Sequence, residues 1–357
     1  MKTLIAAIFL GLCFLGCKDK ATEKPEEVIS FPEGVEELME FNQAEGKKFT
    51  EYKAKAGDAS AQEKLGQAYY YGRGVKIDLK EAVKWYRKSA EQGDPGGQNS
   101  LGMMYLQGEG VDKDITEGLK WLHKSADQDY FEAFFNLGNV YSGNTDGVEG
   151  VPIDYKKAAK LTRKGAEQGD AFSQYNLADM YAKGQGVEKD LVMAYAWWAI
   201  SSDIGQKDKS NIAKKMTPDQ ITKAEALQEG ILKKILIALA EKGDAEAQNK
   251  IGLIYFEGKG VEKDLKETAK WWRKAAEQGD AGGQFNLGVL YHNGEGVPKD
   301  SVTAYAWWNI AAANGDDDAK RNKSIVSKRL APAQITKAEA QAKEMIKNNP
   351  KLIKKKE

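Results

Sequence analysis

Cysteine is nearly absent from this chain. Its 357 residues contain two, Cys13 and Cys17, both close to the N-terminus. The remainder can form no disulfide, thiolate metal site or cysteine nucleophile, so its fold has to rest on packing alone. Histidine is as scarce, with only His123 and His292. Neither has H-E-x-x-H or other ligand spacing around it, and His123 reads as a surface or partly buried helix residue rather than a general base. A charge excess of either sign is missing too. Lys+Arg and Asp+Glu both number 53, which leaves no long-range attraction for nucleic acid. The chain has no G-x-x-x-x-G-K-[ST] loop and no S-x-x-K or G-x-S-x-G context for serine. No catalytic residue, metal site or cofactor is expected.

What the chain does have is repetition. The segment Leu101-Gly-Met-Met-Tyr-Leu-Gln-Gly-Glu-Gly-Val-Asp-Lys-Asp114 recurs in altered form from Leu65, Leu137, Leu177, Ile251 and Leu287. The spacing is 36 residues from Leu65 to Leu101, from Leu101 to Leu137 and from Ile251 to Leu287, and 40 from Leu137 to Leu177. A period of this size marks a solenoid, in which each unit buries its apolar face only against its neighbours. In the second copy, Leu101 and Tyr105 stand four apart on one face of a helix A expected over residues 98–106. Gly108 and Gly110 break that helix, and Asp114 is placed to cap a helix B that carries Leu119, Trp121, Leu122 and Ala126. A tyrosine slot (Tyr69, Tyr105, Tyr141, Tyr181, Tyr255, Tyr291) and an aspartate slot (Asp78, Asp114, Asp154, Asp190, Asp264, Asp300) run through all six copies. A tryptophan slot holds Trp85, Trp121, Trp197, Trp271 and Trp307, with Leu161 in copy three, whose loop is also lengthened over residues 144–150.

These slots, written A-x-x-x-L-G-x-x-Y-x-x-G-x-G-V-x-x-D-x-x-x-A-x-x-W-x-x-K-A-A-x-x-G, resemble the Sel-1-like repeat, a relative of the tetratricopeptide repeat with a longer loop between its helices. The resemblance covers about 43 to 345. It implies an all-α fold, an α-solenoid of helix–turn–helix units in a right-handed superhelix, with protein–protein interaction as the commonest role. Cysteine-rich secreted relatives have been described as penicillin-binding or β-lactam-hydrolysing. That pattern rests on paired repeat cysteines, which this chain lacks.

Copies four and six both end in Ala-Tyr-Ala-Trp-Trp, at 194–198 and 304–308, and both are followed by a polar stretch and a matching helix beginning near Pro218 and Pro332. Thr217-Pro218-Asp219-Gln220 has capping-box form. The chain is therefore expected as two capped arrays, four repeats plus cap over 34–230 and two repeats plus cap over 231–345, with a basic tail over 346–357. A helix near 231–243 is expected to join the second array to the first cap.

Specificity is expected on helix A, opposite its Leu and Tyr slots, where residues vary between copies. In relatives of this architecture helix A lines the concave face. The candidate partner-binding residues are Asn99, Met103, Phe135, Asn139, Tyr175, Asp179, Phe256 and Phe285. Phe135, Tyr175 and Phe285 share one slot and could serve as aromatic anchors for a protein or peptide, or could fill gaps between neighbouring A helices. Solvent exposure decides between these roles.

At the N-terminus, Met1-Lys2-Thr3 precedes an apolar run from Leu4 to Leu15, too short for a span of ~20 residues and ordered like a secretory signal over 1–16. Phe14-Leu15-Gly16-Cys17 resembles the bacterial lipobox, departing from it at Phe14. The resemblance implies lipidation, including palmitate, at Cys17. Residues 17–33, charged and with two prolines, read as a flexible tether. Lys18 after the cysteine implies, by resemblance to enterobacterial sorting, an outer-membrane anchor facing the periplasm or the cell surface. The expected function is a non-catalytic, lipid-anchored envelope protein that binds another protein or a peptide. The alternatives are peptidoglycan binding and, as in the cysteine-rich relatives, β-lactam hydrolysis.

Overall fold

Asparates set the helix boundaries. The computed structural model describes residues 50–353, where every regular element is helical. The signal, the tether and Cys17 lie outside the described residues. After helical residues 50–55, α1 (Ala59–Tyr71) and α2 (Leu79–Glu91) form the first pair, and α3 (Pro95–Gln107) and α4 (Ile115–Ala126) the second. Pairs three and four are α5 (Phe131–Ser142) with α6 (Tyr155–Glu167), and α7 (Ala171–Lys183) with α8 (Leu191–Ile200). The first cap is α9 (Gln206–Ala213) and α10 (Pro218–Glu241). Then come α11 (Ala245–Glu257) with α12 (Leu265–Glu277), α13 (Ala281–Asn293) with α14 (Ser301–Ala313), and the second cap, α15 (Asp317–Ser327) and α16 (Pro332–Asn348).

Each helix B starts where the aspartate slot predicts. All six of these carboxylates accept an amide two or three residues on. The same residue's own amide donates to the tyrosine-slot carbonyl of helix A, from Asp78 to Tyr69 at 3.0 Å through to Asp300 to Tyr291 at 2.8 Å. One aspartate thus closes the turn and opens the next helix. Helix A is longer than the slots suggest: α3 begins at Pro95, not near Gln98, because the Asp94 carboxylate caps the Gly97 amide at 2.7 Å and proline suits the first helical position. Asp58, Asp170, Asp244 and Asp280 do the same elsewhere, while α5 follows Tyr130, which makes no side-chain cap bond.

The two helices of a pair meet at the glycine after the Leu slot. A Cβ built at Gly252 would lie 2.3 Å from Trp272, and one at Gly288 would lie 2.5 Å from Trp308. The bare backbone lets each indole Nε1 donate to a helix A carbonyl, Trp272 to Asn249 at 3.0 Å and Trp308 to Phe285 at 3.1 Å. The residue after the tryptophan slot is buried in every pair (Tyr86, Leu122, Thr162, Trp198, Trp272 and Trp308), and Trp121, Trp197 and Trp307 are buried in the slot itself. Slot residues such as Trp85 and Trp271 turn about 100° away, and the lysines three residues on, Lys88 and Lys274, lie 4.3 and 4.2 Å over their rings. In pair four Ala178 replaces the glycine, and Trp198 Nε1 is buried without a partner. The extra methyl stands where its counterparts' indoles make their approach.

Successive pairs are tied by glutamines. Gln62, Gln98, Gln174, Gln248 and Gln284 are buried on helix A, and each donates to a backbone carbonyl eight residues back, at 3.0 to 3.3 Å. The Gln62, Gln98 and Gln248 side-chain carbonyls accept from Gln92, Gln128 and Gln278 of the following turn, at 2.7 to 2.8 Å. At the C-terminal end Gln284 and Asn314 both donate to the Leu352 carbonyl, at 2.8 and 2.7 Å. Leu352 sits buried in a short turn, so the stretch expected as a tail from residue 346 begins in α16 and docks on the last repeat.

The position expected to divide the arrays, 230/231, falls inside α10, a single helix of 24 residues. Thr217 and Gln220 form its capping box in both directions. At the second cap Ala331 has no side-chain oxygen; its amide donates to Gln334 Oε1 at 3.0 Å, and its backbone carbonyl accepts from the Gln334 amide at 2.9 Å. α10 packs on both α8 and α11. Ile235 joins the core of pair four with Trp197 and Trp198, and Leu236 joins that of pair five with Ile251.

The second glycine of three A–B loops, Gly110, Gly186 and Gly296, rests on the helix B before it. A Cβ at Gly186 (φ 72°) would lie 1.9 Å from the Tyr155 carbonyl oxygen, but one at Gly260 (φ 64°), next to α10, would meet nothing within 4 Å. Both positions carry the left-handed penalty of about 1–2 kcal/mol for alanine, and only the first adds a backbone clash. In urea titrations Gly186→Ala is expected to lose about 3 kcal/mol or more and Gly260→Ala about 1–2 kcal/mol. Equal losses would show that the loop does not bear on its neighbour.

Candidate functional site

The A helices leave an open groove. Its larger cavity, about 400 Å³, crosses α1, α3, α5 and α7 and is lined in part by Glu63, Asn99, Phe135 and Phe172. A second cavity of about 260 Å³ shares Tyr71, Asn99, Ser100 and Asn136 with the first and adds Met103 and Tyr70. Helix-terminal aromatics stand open at the larger one: Tyr71 is 58% exposed, Phe131 40% and Phe172 59%. Phe172 leans on Phe135 with ring centres 6.0 Å apart, and Phe131 on Tyr130 at 5.9 Å. Exposed aromatics in a cluster are costly to leave in water and mark binding surfaces.

The charge of the larger cavity has one sign. Glu63, Glu132 and Asp170 line it, with no lysine or arginine among its described lining residues. Burial raises the Glu63 carboxyl to about 7, and Asp94 and Glu132 add to this; a bond from Gln67 Nε2 at 2.5 Å and the Lys64 charge pull the other way. Burial, then a hydrogen bond to Glu132, holds the Tyr130 phenol above its ordinary value. Tyr70 is pushed up to about 12 by burial and by its bond to Glu109 Oε2 at 2.9 Å. Near neutral pH the Glu63 carboxyl is therefore only partly ionised, and a cation arriving in this partly dehydrated cavity would favour its charged form and interact with it more strongly than at an open surface.

The eight candidate residues separate into groups. Asn99 and Phe135 line the larger cavity, and Asn99 and Met103 the second. Asn139 and Asp179 line a third, smaller hollow. Two of the asparagines also hold neighbouring A helices together. Asn99 Oδ1 accepts from Asn136 Nδ2 and Asn139 Oδ1 from Asn176 Nδ2, both at 2.9 Å, and Asn249 with Asn286 repeats the bond at 3.0 Å. Asn99 is 9% exposed. Asp179 pairs with Lys183 at 2.6 Å. Phe135 and Tyr175 are half-buried. The Tyr175 hydroxyl donates to Asp208 of the first cap at 3.1 Å, and its ring packs on the core of pair four. Phe256 lies against Trp272, with ring centres 5.4 Å apart, and Phe285 packs on the core around Trp308. The shared slot of Phe135, Tyr175 and Phe285 therefore has three different surroundings, and only Phe135 of these lines the larger cavity.

His123 sits 3.0 Å from the Tyr141 hydroxyl, and burial and Lys157 hold it below its ordinary value. It belongs to the packing of pairs two and three. Among the described residues no group of three or more His, Cys, Asp or Glu is arranged to hold a metal ion.

Six segments of the chain match the Sel1 repeat, at residues 59–94, 95–130, 132–170, 171–205, 245–280 and 281–316. The chain belongs to the Sel1 repeat family. Sel1 repeats mediate protein–protein interaction, and proteins of the family are generally non-catalytic scaffolds. A relative in Arabidopsis thaliana, "ERAD-associated E3 ubiquitin-protein ligase component HRD3B", is 27% identical over 185 residues. The match takes in 50% of this chain and 22% of that protein, so the chain spans about a fifth of that relative's length. Among solved structures, c5321, a protective antigen of uropathogenic Escherichia coli displaying an SLR fold, is 30% identical, with 87% of this chain and 81% of that one covered and a TM-score of 0.42. A Sel1 repeat protein from Oxalobacter formigenes is 32% identical over 82% of this chain and 84% of that one, with a TM-score of 0.38.

Seen as a Sel1 solenoid, the groove owes much to residues that the slot comparison passed over. Glu132, Phe131 and Phe172 occupy the first turns of α5 and α7, ahead of the point where helix A was expected to start. For Phe172 the signal was available, because Asp170 precedes its turn and an aspartate before a helix is a start signal; α5 has Tyr130 in that place, so Phe131 and Glu132 carried no such signal.

Because Glu63 is protonated more readily in the folded chain than in an unfolded one, folding takes up a proton at this site between the two titrations. Stability from this group is then lost as pH rises from about 5 toward 8. Replacing it by glutamine removes that dependence. The melting temperature of Glu63→Gln relative to the parent is expected to rise between about pH 5 and about pH 8. A difference that stays flat in differential scanning fluorimetry would show that Glu63 is not withdrawn from water.

Proposed function

We propose that this Sel1 repeat protein is a non-catalytic, lipid-anchored protein of the bacterial envelope that binds another protein or a peptide through the surface of its A helices. The observation that carries the binding role is the open groove across α1, α3, α5 and α7, lined by partly exposed aromatics. A cleft of this kind, framed by rigid helices, positions side chains without the entropy loss of ordering a loop. The anchor rests on the sequence around Cys17, with Gly16 before it and a charged tether after it. The outer-membrane assignment rests on Lys18. Acyl chains at Cys17 would hold the repeats near a membrane surface, where a tethered binder meets its partner at raised effective concentration.

Peptidoglycan binding is the second reading, because Tyr71, Phe131 and Phe172 offer ring faces that could also stack on sugars. Sedimentation with purified sacculi separates the two.

Crosslinking in intact envelopes, followed by capture of the full chain, is expected to yield a partner that Phe172→Ala reduces several-fold. A partner captured equally by both forms places recognition away from the groove. Metabolic labelling with palmitate is expected on the parent and absent from Cys17→Ala, and unchanged labelling would refute the anchor.

A further inference from the structure

We infer that the groove takes an extended peptide segment that presents a lysine or arginine side chain to the Glu63–Glu132–Asp170 cavity and an apolar side chain to the adjoining one. This rests on the binding role proposed above and specifies the chemistry of the partner.

Three observations carry it. The first is charge. The larger cavity is bounded by Glu63, Glu132 and Asp170, and Asp94 acts on Glu63 from the α2–α3 turn. A carboxylate-bearing partner would meet like charge on the wall, and a neutral one would leave these groups without a counter-ion in a partly dehydrated space. The second is aromatic surface. Tyr71, Phe135 and Phe172 present rings to the same cavity, and an ammonium or guanidinium over a ring face gains about 0.5–2 kcal/mol as it loses water. Acid and ring together suit a cation with an apolar stem, which is the build of lysine and arginine. The third is the neighbouring cavity, where Tyr70, Met103 and Met104 contribute to the lining. Thioether and ring surfaces accept an aliphatic side chain of variable shape.

The two cavities meet at Asn99 and Asn136. These two amides are bonded to each other through one oxygen and one nitrogen. Each has capacity beyond that bond, which suits a peptide backbone passing over them. A free polyamine would satisfy the first cavity and leave the second empty. The paired cavities thus favour a peptide.

The test uses fluorescence anisotropy with the full chain in detergent and with four labelled nonapeptides, alternating Lys with Leu, Gln with Leu, Glu with Leu, and Lys with Gln. The Lys–Leu peptide is expected to bind best. The Gln–Leu and Lys–Gln peptides should each bind about tenfold more weakly, and the Glu–Leu peptide more weakly still. Raising the salt concentration should weaken the Lys–Leu complex. Glu63→Gln combined with Glu132→Gln should reduce its affinity about tenfold. Glu63→Lys with Glu132→Lys should transfer the preference to the Glu–Leu peptide, a gain that an unfolded variant could not produce. Spermidine should compete poorly with the Lys–Leu peptide.

Equal binding of the Gln–Leu and Lys–Leu peptides, with Phe172→Ala weakening both, would overturn the charge inference and leave the groove as the binding site. Competition by spermidine as effective as by the peptide would overturn the peptide assignment. Failure of every peptide to bind at about 1 mM, together with capture of a partner that ignores Phe172→Ala, would remove the groove reading and this inference with it.

Discussion

The close contact between the glycine of helix A and the buried residue of helix B is what the rest of the molecule depends on. At Gly66, Gly102, Gly138, Gly252 and Gly288 the missing side chain is replaced by a residue of the partner helix. Two helices drawn this close form a wedge with apolar surface on both outer faces, and a wedge cannot cover itself. The next pair does so. The turn aspartate fixes the angle between the helices by spending its amide on helix A and its carboxylate on helix B. The glutamine chain then sets the step to the following pair, satisfying polar backbone groups that stacking would otherwise bury unbonded. The groove is the residue of this geometry: A helices held at a fixed interval leave furrows between them, and whatever side chains face those furrows decide what enters.

Much of this was legible in the sequence, for a physical reason. Leu, Gly, Tyr and Asp at constant offsets are each demanded by a contact that recurs in every pair, so their periodicity is the fold written out. The aspartate slot could be read directly as the start of helix B because a short acceptor before an apolar run has few other uses. The glutamines were nearly as periodic, three positions before five of the six Leu slots, yet their role depends on a backbone carbonyl eight residues back and, in three copies, on a glutamine amide thirty residues on, which no local rule supplies. The tryptophan slot was visible, but not that its environment varies: Trp121, Trp197 and Trp307 are buried in the core, whereas Trp85 and Trp271 flank it and the residue after each, one step of about 100° round the helix, is buried.

The site was legible only in part. Variation among copies pointed to the A helices, and Asn99, Met103 and Phe135 do line the groove. Variation cannot separate a side chain free to bind from one adapted to an irregular neighbour. Tyr175 faces Asp208 of a cap that only pair four possesses, and Phe285 supports Trp308, so each is constrained by its own surroundings. Repeat three shows the same limit. Phe134 occupies the place of the buried glutamine, and Tyr130 that of the aspartate cap. The neighbouring Phe131 and Glu132 then open onto the groove. The departures of repeat three from the pattern lie beside the larger cavity, as expected where a surface is shaped by something other than stacking.

Every glutamine bridge between turns spans 30 positions, and every asparagine bridge between A helices spans 37. No such tie skips a unit. Closing short loops is fast, so the chain can begin to order at any pair and spread outward, and loosening proceeds inward from an end without disturbing the middle. The 24-residue helix α10 interrupts that chain of ties, since it gives Ile235 to one core and Leu236 to another. It acts as a splice between two blocks, holding the first by its apolar face and the second by its apolar face and by the Lys233 bond to the Gly260 carbonyl at 2.9 Å, so the coupling of their melting runs through one helix rather than through the ties that repeat elsewhere.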